Sequence, residues 1–233
     1  MAIALDGWLD GITASLIVLF GLIFGLFFIY KSIKLKAKLL CIAGINVVFI
    51  GFIWLGPTFD FLVKLNSDTN LSPVETYVFL KYTWFAPALL FSAYIGGELL
   101  IPKYKWLLVV IFIVLGTIFG VLVWYQPFDS FKFIEVREED GLIQAGFNMI
   151  YPTFILLMIF LIVILVFMGI GCAVKAKQAT GLLRKKFLYL SIGYIIFVVV
   201  SMLEVIFTVT PIVGIIRIAM TTYAIWMYLG LKT

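Results

Sequence analysis

Residues 106–126 read WLLVVIFIVLGTIFGVLVWYQ, a run without a single charge. A helix needs about 20 mostly apolar residues to cross a bilayer, and a helix that is apolar on every side belongs in a membrane or a deep core. Working outward, six more segments of this kind fill the chain. The seven lie near 8–30, 39–63, 74–101, 106–126, 148–174, 187–209 and 212–231. A closed barrel would need short alternating segments instead, so these spans are helices. The 233 residues are 64% hydrophobic and 12% charged, against about 25% charged in soluble domains. The expected fold is all-α, a polytopic seven-helix bundle formed by residues 1–233 as one membrane domain.

Basic residues set the orientation. Lys31, Lys34, Lys36 and Lys38 follow the first helix, and Lys103 and Lys105 follow the third. Lys175, Lys177, Arg184, Lys185 and Lys186 follow the fifth, with Lys232 after the seventh. None of these connections holds an acid. The opposite side carries Asp6, Asp10, Asp60, Asp68, Glu75, Asp129, Glu135, Glu138, Glu139 and Asp140 against Lys64, Lys81, Lys132 and Arg137. The N-terminus is therefore expected outside a cell membrane and the C-terminus in the cytoplasm. The net charge of +5 is then a topology signal that meets anionic lipid, and no nucleic-acid partner is expected. MAIALDGWLD, residues 1–10, lacks the positive region of a signal peptide, so the first helix is expected to be retained.

Residues 127–147, PFDSFKFIEVREEDGLIQAGF, form the one long connection. Two runs of β character flank Asp140-Gly141, a turn signal, which predicts a hairpin over the external mouth. Gly21 with Gly25, and Gly116 with Gly120, have the spacing that lets helices approach closely. Trp8, Trp54, Trp106 and Trp124 fall near interfaces, whereas Trp84 and Trp226 fall deeper. Cys41 and Cys172 read as buried small hydrophobes.

Charges at membrane depth are expensive and mark either a brace or a site. Glu204 and Arg217 lie six residues either side of the Thr210-Pro211 turn. At about 1.5 Å rise per residue both sit about 9 Å below the outer end of antiparallel neighbours, which predicts an ion pair. Lys81 and Asp60 fall at comparable depth, surrounded by Thr58, Trp84, Asn148, Tyr151, Ser201 and Thr208. This is the composition of an outward cavity. Ligand-binding candidates are Asp60, Lys81, Trp84, Tyr151, Glu204 and Arg217, with Arg217 first in line to hold an anionic group and Lys81 second. Glu98 is expected to pair locally with Lys103 and Lys105.

The chemistry of common enzymes is missing. Without histidine, and with two distant cysteines, no usual zinc site can be built, and neither a phosphate loop nor a nucleophile elbow occurs. No enzyme activity and no cofactor are expected. A retinal pigment needs an amine in the seventh helix, where the only base, Arg217, stays protonated.

Phe79 to Gly97, FLKYTWFAPALLFSAYIGG, has a mid-helix proline within an aromatic-rich run and an aromatic-x-Gly end. With the Gly-rich, aromatic stretch Gly141–Phe154 and the basic entry Arg184-Lys185-Lys186-Phe187, it resembles the seven-transmembrane N-terminal sensor region of archaeal and bacterial histidine kinases. The resemblance implies a signal-input module that perceives something at the outer face or in the membrane. The kinase domain usual in that family does not follow here, so signalling is expected to pass to a separate partner.

The leading expectation is thus a sensor or receptor-like protein in contact with membrane lipids. It would take a small molecule or lipid in its outward cavity and dock a partner through Lys175, Lys177, Arg184, Lys185 and Lys186. A small-solute transporter or channel is the alternative, disfavoured by the absence of an internal repeat or paired broken helices. A subunit that only scaffolds other membrane proteins is the third reading.

Overall fold

A computed structural model describes residues 3–134, 141–206 and 210–232. Six helical stretches are long and apolar enough to cross a membrane: Leu5–Leu35, Glu75–Leu100, Pro102–Tyr125, Pro152–Gln178, Gly181–Ile206 and Ile212–Leu231. A seventh, Lys38–Phe52 with Leu55–Ser67, is bent by 49° at its break. The chain is an all-α polytopic bundle.

The helices are α1 (Leu5–Leu35), α2 (Lys38–Phe52), α3 (Leu55–Ser67), α4 (Glu75–Tyr82), α5 (Phe85–Leu100), α6 (Lys105–Tyr125) and the short α7 (Pro127–Ser130). Then come α8 (Pro152–Ile164), a π-helical segment (Leu165–Ile170), α9 (Gly171–Gln178), α10 (Gly181–Ile206), α11 (Thr210–Thr221) and α12 (Tyr223–Leu231). Each span packs on its sequence neighbours: α1 on α2, α2 on α5, α5 on α6, α6 on α8, and the α8–α9 stretch on α10. α10 packs on α12, and α11 returns to α1.

Helix α6 shows how an all-apolar span still has an inside. Val109, Phe112, Gly116, Phe119 and Val123 are its buried residues, at the alternating three- and four-residue spacing that keeps one face inward. Leu107, Val110, Val114 and Val121 stay at least half exposed, as a lipid-facing side requires. In α1 the inward stripe includes Gly7, Gly11, Ala14, Val18, Gly21, Gly25 and Phe28. A Cβ on Gly21 would lie 2.8 Å from Gly51 Cα, and one on Gly25 would lie 2.8 Å from the Gly44 carbonyl. These glycines therefore join α1 to α2 backbone to backbone, within one chain. Gly21→Val is expected to lower the melting midpoint in detergent, costing about 1–3 kcal/mol by overpacking. Gly120→Ala, which meets nothing within 4 Å, should leave it unchanged or higher.

Two breaks share a cause. Pro57 follows the α2–α3 break by four residues from Ile53, and Pro87 follows the α4–α5 break by four from Thr83. A proline removes its own N–H and clashes with the carbonyl four residues back. Each break is a Trp-x-x-Pro run, Trp54-Leu55-Gly56-Pro57 and Trp84-Phe85-Ala86-Pro87. Only the second span is bent by its break, whereas the third runs through its own as one stretch, Glu75–Leu100. Pro152 kinks nothing, because it occupies the first turn of α8, where a missing N–H costs little.

The long connection carries β1 (Phe131–Ile134) and β2 (Gln144–Phe147), paired antiparallel with Phe131 opposite Phe147 and Ile134 opposite Gln144. The expected turn falls largely on residues 135–140, outside the described residues; Gly141, at its edge, has φ +70°, a region glycine adopts freely. Phe131 and Phe147 each lie 4.7 Å from the Tyr82 ring, between centroids. The hairpin thus sits against α4.

Asp60 fastens this hairpin. Its carboxylate is fully buried and accepts from Ile143 N at 2.7 Å, Leu71 N at 2.9 Å and Asn70 Nδ2. Asn70 Nδ2 also donates to the Gly141 carbonyl at 2.8 Å. Asp60→Ala is expected to strand two backbone donors, cost about 2–3 kcal/mol, and speed amide hydrogen exchange at Leu71 and Ile143. Unchanged exchange at both would show that the hairpin is held elsewhere.

Candidate functional site

A cavity of about 100 Å³ opens at the hairpin end of the bundle and touches every span except α6. Phe85, Leu157, Leu161, Val205 and Val213 give it apolar walls, and the β2 residues Gln144–Phe147 line another side. Both helix breaks border it through Ile53, Trp54 and Phe85.

Four charges cross the polar side in alternating order. Asp10 comes from α1, Arg217 from α11, Glu204 from α10 and Lys81 from α4. Arg217 Nη1 donates to Asp10 Oδ1 at 2.8 Å and to the Asp10 carbonyl at 2.9 Å. Its Nη2 and Nε donate to Glu204 Oε1 at 2.9 and 3.3 Å. Trp54 Nε1 adds a donor to the Glu204 carboxylate at 3.0 Å. Lys81 Nζ stands 3.6 Å from Glu204 Oε1, with the Tyr77 and Tyr82 ring centroids at 6.0 and 5.4 Å. The side chains of Arg217, Glu204 and Lys81 are 4%, 11% and 11% exposed, and that of Asp10 is 21% exposed. Two positive and two negative groups balance, which is how charge survives at this depth.

The arrangement separates the roles of the two cations. Arg217 donates from all three of its nitrogens to groups within the protein. It ties α1, α10 and α11 together while lining the cavity. Lys81 has no carboxylate in hydrogen-bond range among the described residues, and it lines the cavity. Of the two cations it is the less committed to partners within the protein.

Other expected site residues lie elsewhere. Asp60 fastens the hairpin and does not line the cavity. Trp84 stacks on Phe49 and meets Phe52 edge-on, 5.7 and 5.0 Å between centroids. Tyr151 donates through its hydroxyl to Gln126. Asn148 donates to the Asp129 carbonyl at 3.0 Å and Thr58 to that of Trp54 at 2.8 Å. Ser201 lines the cavity; Thr208 lies outside the described residues. Trp54, taken from the sequence as part of an interfacial belt, is 1% exposed and holds Glu204. Asp10, read as one of many outside acids, completes the charge row. Its position five residues after Leu5, where α1 begins, was the available signal.

At the opposite end Lys105 pairs with Glu98 at 2.7 Å. Lys175, Lys177, Arg184 and Lys185 are exposed there and Lys186 is half-buried. Deeper in the bundle Asn46 donates to Ser92 at 3.1 Å and to the Tyr223 hydroxyl at 3.3 Å, an uncharged junction between α2, α5 and α12. Among the described residues no group of three carboxylates and thiols converges to hold a metal ion. No family model, curated protein or solved structure matches this chain.

Proposed function

We propose that the protein is a membrane sensor of receptor type that takes a small molecule into the cavity beneath the hairpin. The N-terminus would lie outside the cell, in line with the charge asymmetry of the connections. The observation that carries the reading is Lys81: a cation inside an apolar-walled cavity, held near a carboxylate that other donors already satisfy. Such a convergence of few polar groups on apolar walls is what small-molecule sites offer. A ligand acceptor at Lys81 draws it from Glu204 and shifts α4 against α10. Helix α10 runs from Glu204 to the basic surface at Arg184, Lys185 and Lys186, where a separate signalling partner would read the shift.

The expected result is a higher melting midpoint with at least one member of a panel of metabolites and lipids, and loss of that gain in Lys81→Met. A ligand at about a hundred times its dissociation constant stabilises by about 2.7 kcal/mol. A panel without effect would sink the reading.

Transport is the second reading, favoured by the bent second span that borders the cavity, since broken helices build many transporter sites. Solute uptake into proteoliposomes decides between them, because a sensor binds without flux.

A further inference from the structure

We infer that the cavity takes a small zwitterion, an ammonium and an oxyanion joined by a short hydrocarbon; this rests on the proposal that the cavity binds a ligand.

The charge row runs Asp10, Arg217, Glu204, Lys81, and its two inner members saturate each other. The unfilled capacity sits at the ends, and the ends have opposite sign. At one end Lys81 meets Glu204 only as an ion pair at 3.6 Å, too long for a hydrogen bond, and its ammonium donors stay open to a closer acceptor. At the other, Asp10 gives Oδ1 to Arg217, while Oδ2 accepts no hydrogen bond among the described residues. Both residues line the cavity. A molecule with an oxyanion for Lys81 and an ammonium for Asp10 lies along the row with its dipole opposed to it.

Electroneutrality selects the same class. The four groups already sum to zero. A simple anion would leave an uncompensated negative charge among Phe85, Leu157, Leu161 and Val213, and a simple amine the converse; unpaired charge is what such surroundings penalise. A zwitterion adds no net charge, and its carbon spacer meets the apolar wall. Size narrows the class further. An engineered cavity of 150 Å³ in another protein holds benzene, so about 100 Å³ admits a molecule of about six heavy atoms or fewer. Small amino acids satisfy both limits. An ethanolamine phospholipid presents the same two groups in its head, and the lipid around the protein separates the two sources.

The experiment is thermal unfolding of the full chain in phosphatidylglycerol nanodiscs with a matched set: β-alanine, alanine, butyrate and butylamine. The expected result is a rise of about 5 °C at saturation with an amino acid and none with butyrate or butylamine. Lys81→Met and Asp10→Asn should each abolish the rise. Because Asp10 also braces Arg217, its variant could fail to fold, and the matched set on the wild type then decides alone. Butyrate acting as well as β-alanine overturns the zwitterion and leaves the binding proposal standing. A rise with none of the four, while another panel compound does stabilise, overturns it in the same way. Nanodiscs of phosphatidylethanolamine that melt higher and abolish the solute effect assign the site to a lipid head. No stabilisation by any compound or lipid removes the binding proposal together with the zwitterion.

Discussion

Arg217→Gln is expected to destabilise the protein by about 3–5 kcal/mol, the usual cost of removing one partner from a buried ion pair. For a chain of this size that is a fall of roughly 10 °C in the melting midpoint. The geometry explains why the effect is large. Arg217 is 3% exposed and holds two carboxylates from different helices, at 2.8 and 2.9 Å. Without it Asp10 and Glu204 face each other with only Lys81 nearby, and α11 loses its ties to α1 and α10. Glu204→Gln should cost less, since Arg217 keeps Asp10 and the amide still accepts from Trp54. The double variant should recover part of the loss, because the second change removes the charge that the first left unpaired; such neighbours are not additive. A single Arg217 variant that melts within a degree or two of wild type would show that the row is not a brace.

Much of this architecture could be read from the chain. A run such as residues 106–126 has one physical solution in a bilayer, and so each span was visible. The matching depths of Glu204 and Arg217 follow from counting residues away from a turn. The partners that complete the row did not follow. Trp54 and Glu204 meet across 150 residues, and no local pattern encodes which of several tryptophans turns inward. In a membrane both faces of a helix are apolar, so periodicity loses the contrast it has in water; only the glycine spacing of α1 kept it. Asp60 illustrates the opposite error. Depth alone placed it with the cavity charges, whereas the backbone donors of residues 71 and 143 claim it. The bend of the second span was legible in principle, because Trp54–Pro57 repeats the Trp-x-x-Pro run of the third.

That bend is the basis of the second large effect. Gly56 lies between Trp54 and Pro57, and its face is pressed on α4: a Cβ there would lie 2.4 Å from the Tyr77 carbonyl and 3.1 Å from Lys81 Cβ. The first contact is with backbone, which cannot rotate away, so Gly56→Val must move one helix off the other. The stability cost should reach the upper end of the about 1–3 kcal/mol typical of overpacking or exceed it. The functional cost should be larger still. Displacing this turn of α4 carries Lys81 away from Glu204, now 3.6 Å distant, and shifts Trp54, whose indole holds the same carboxylate. Gly56→Val protein that remains folded in nanodiscs should therefore bind no ligand that Lys81 recognises, whereas Gly21→Val, at a close packing remote from Lys81, should lose stability and keep binding. Equal ligand affinity in the two variants would mean that the helix break shapes the bundle without setting the position of Lys81.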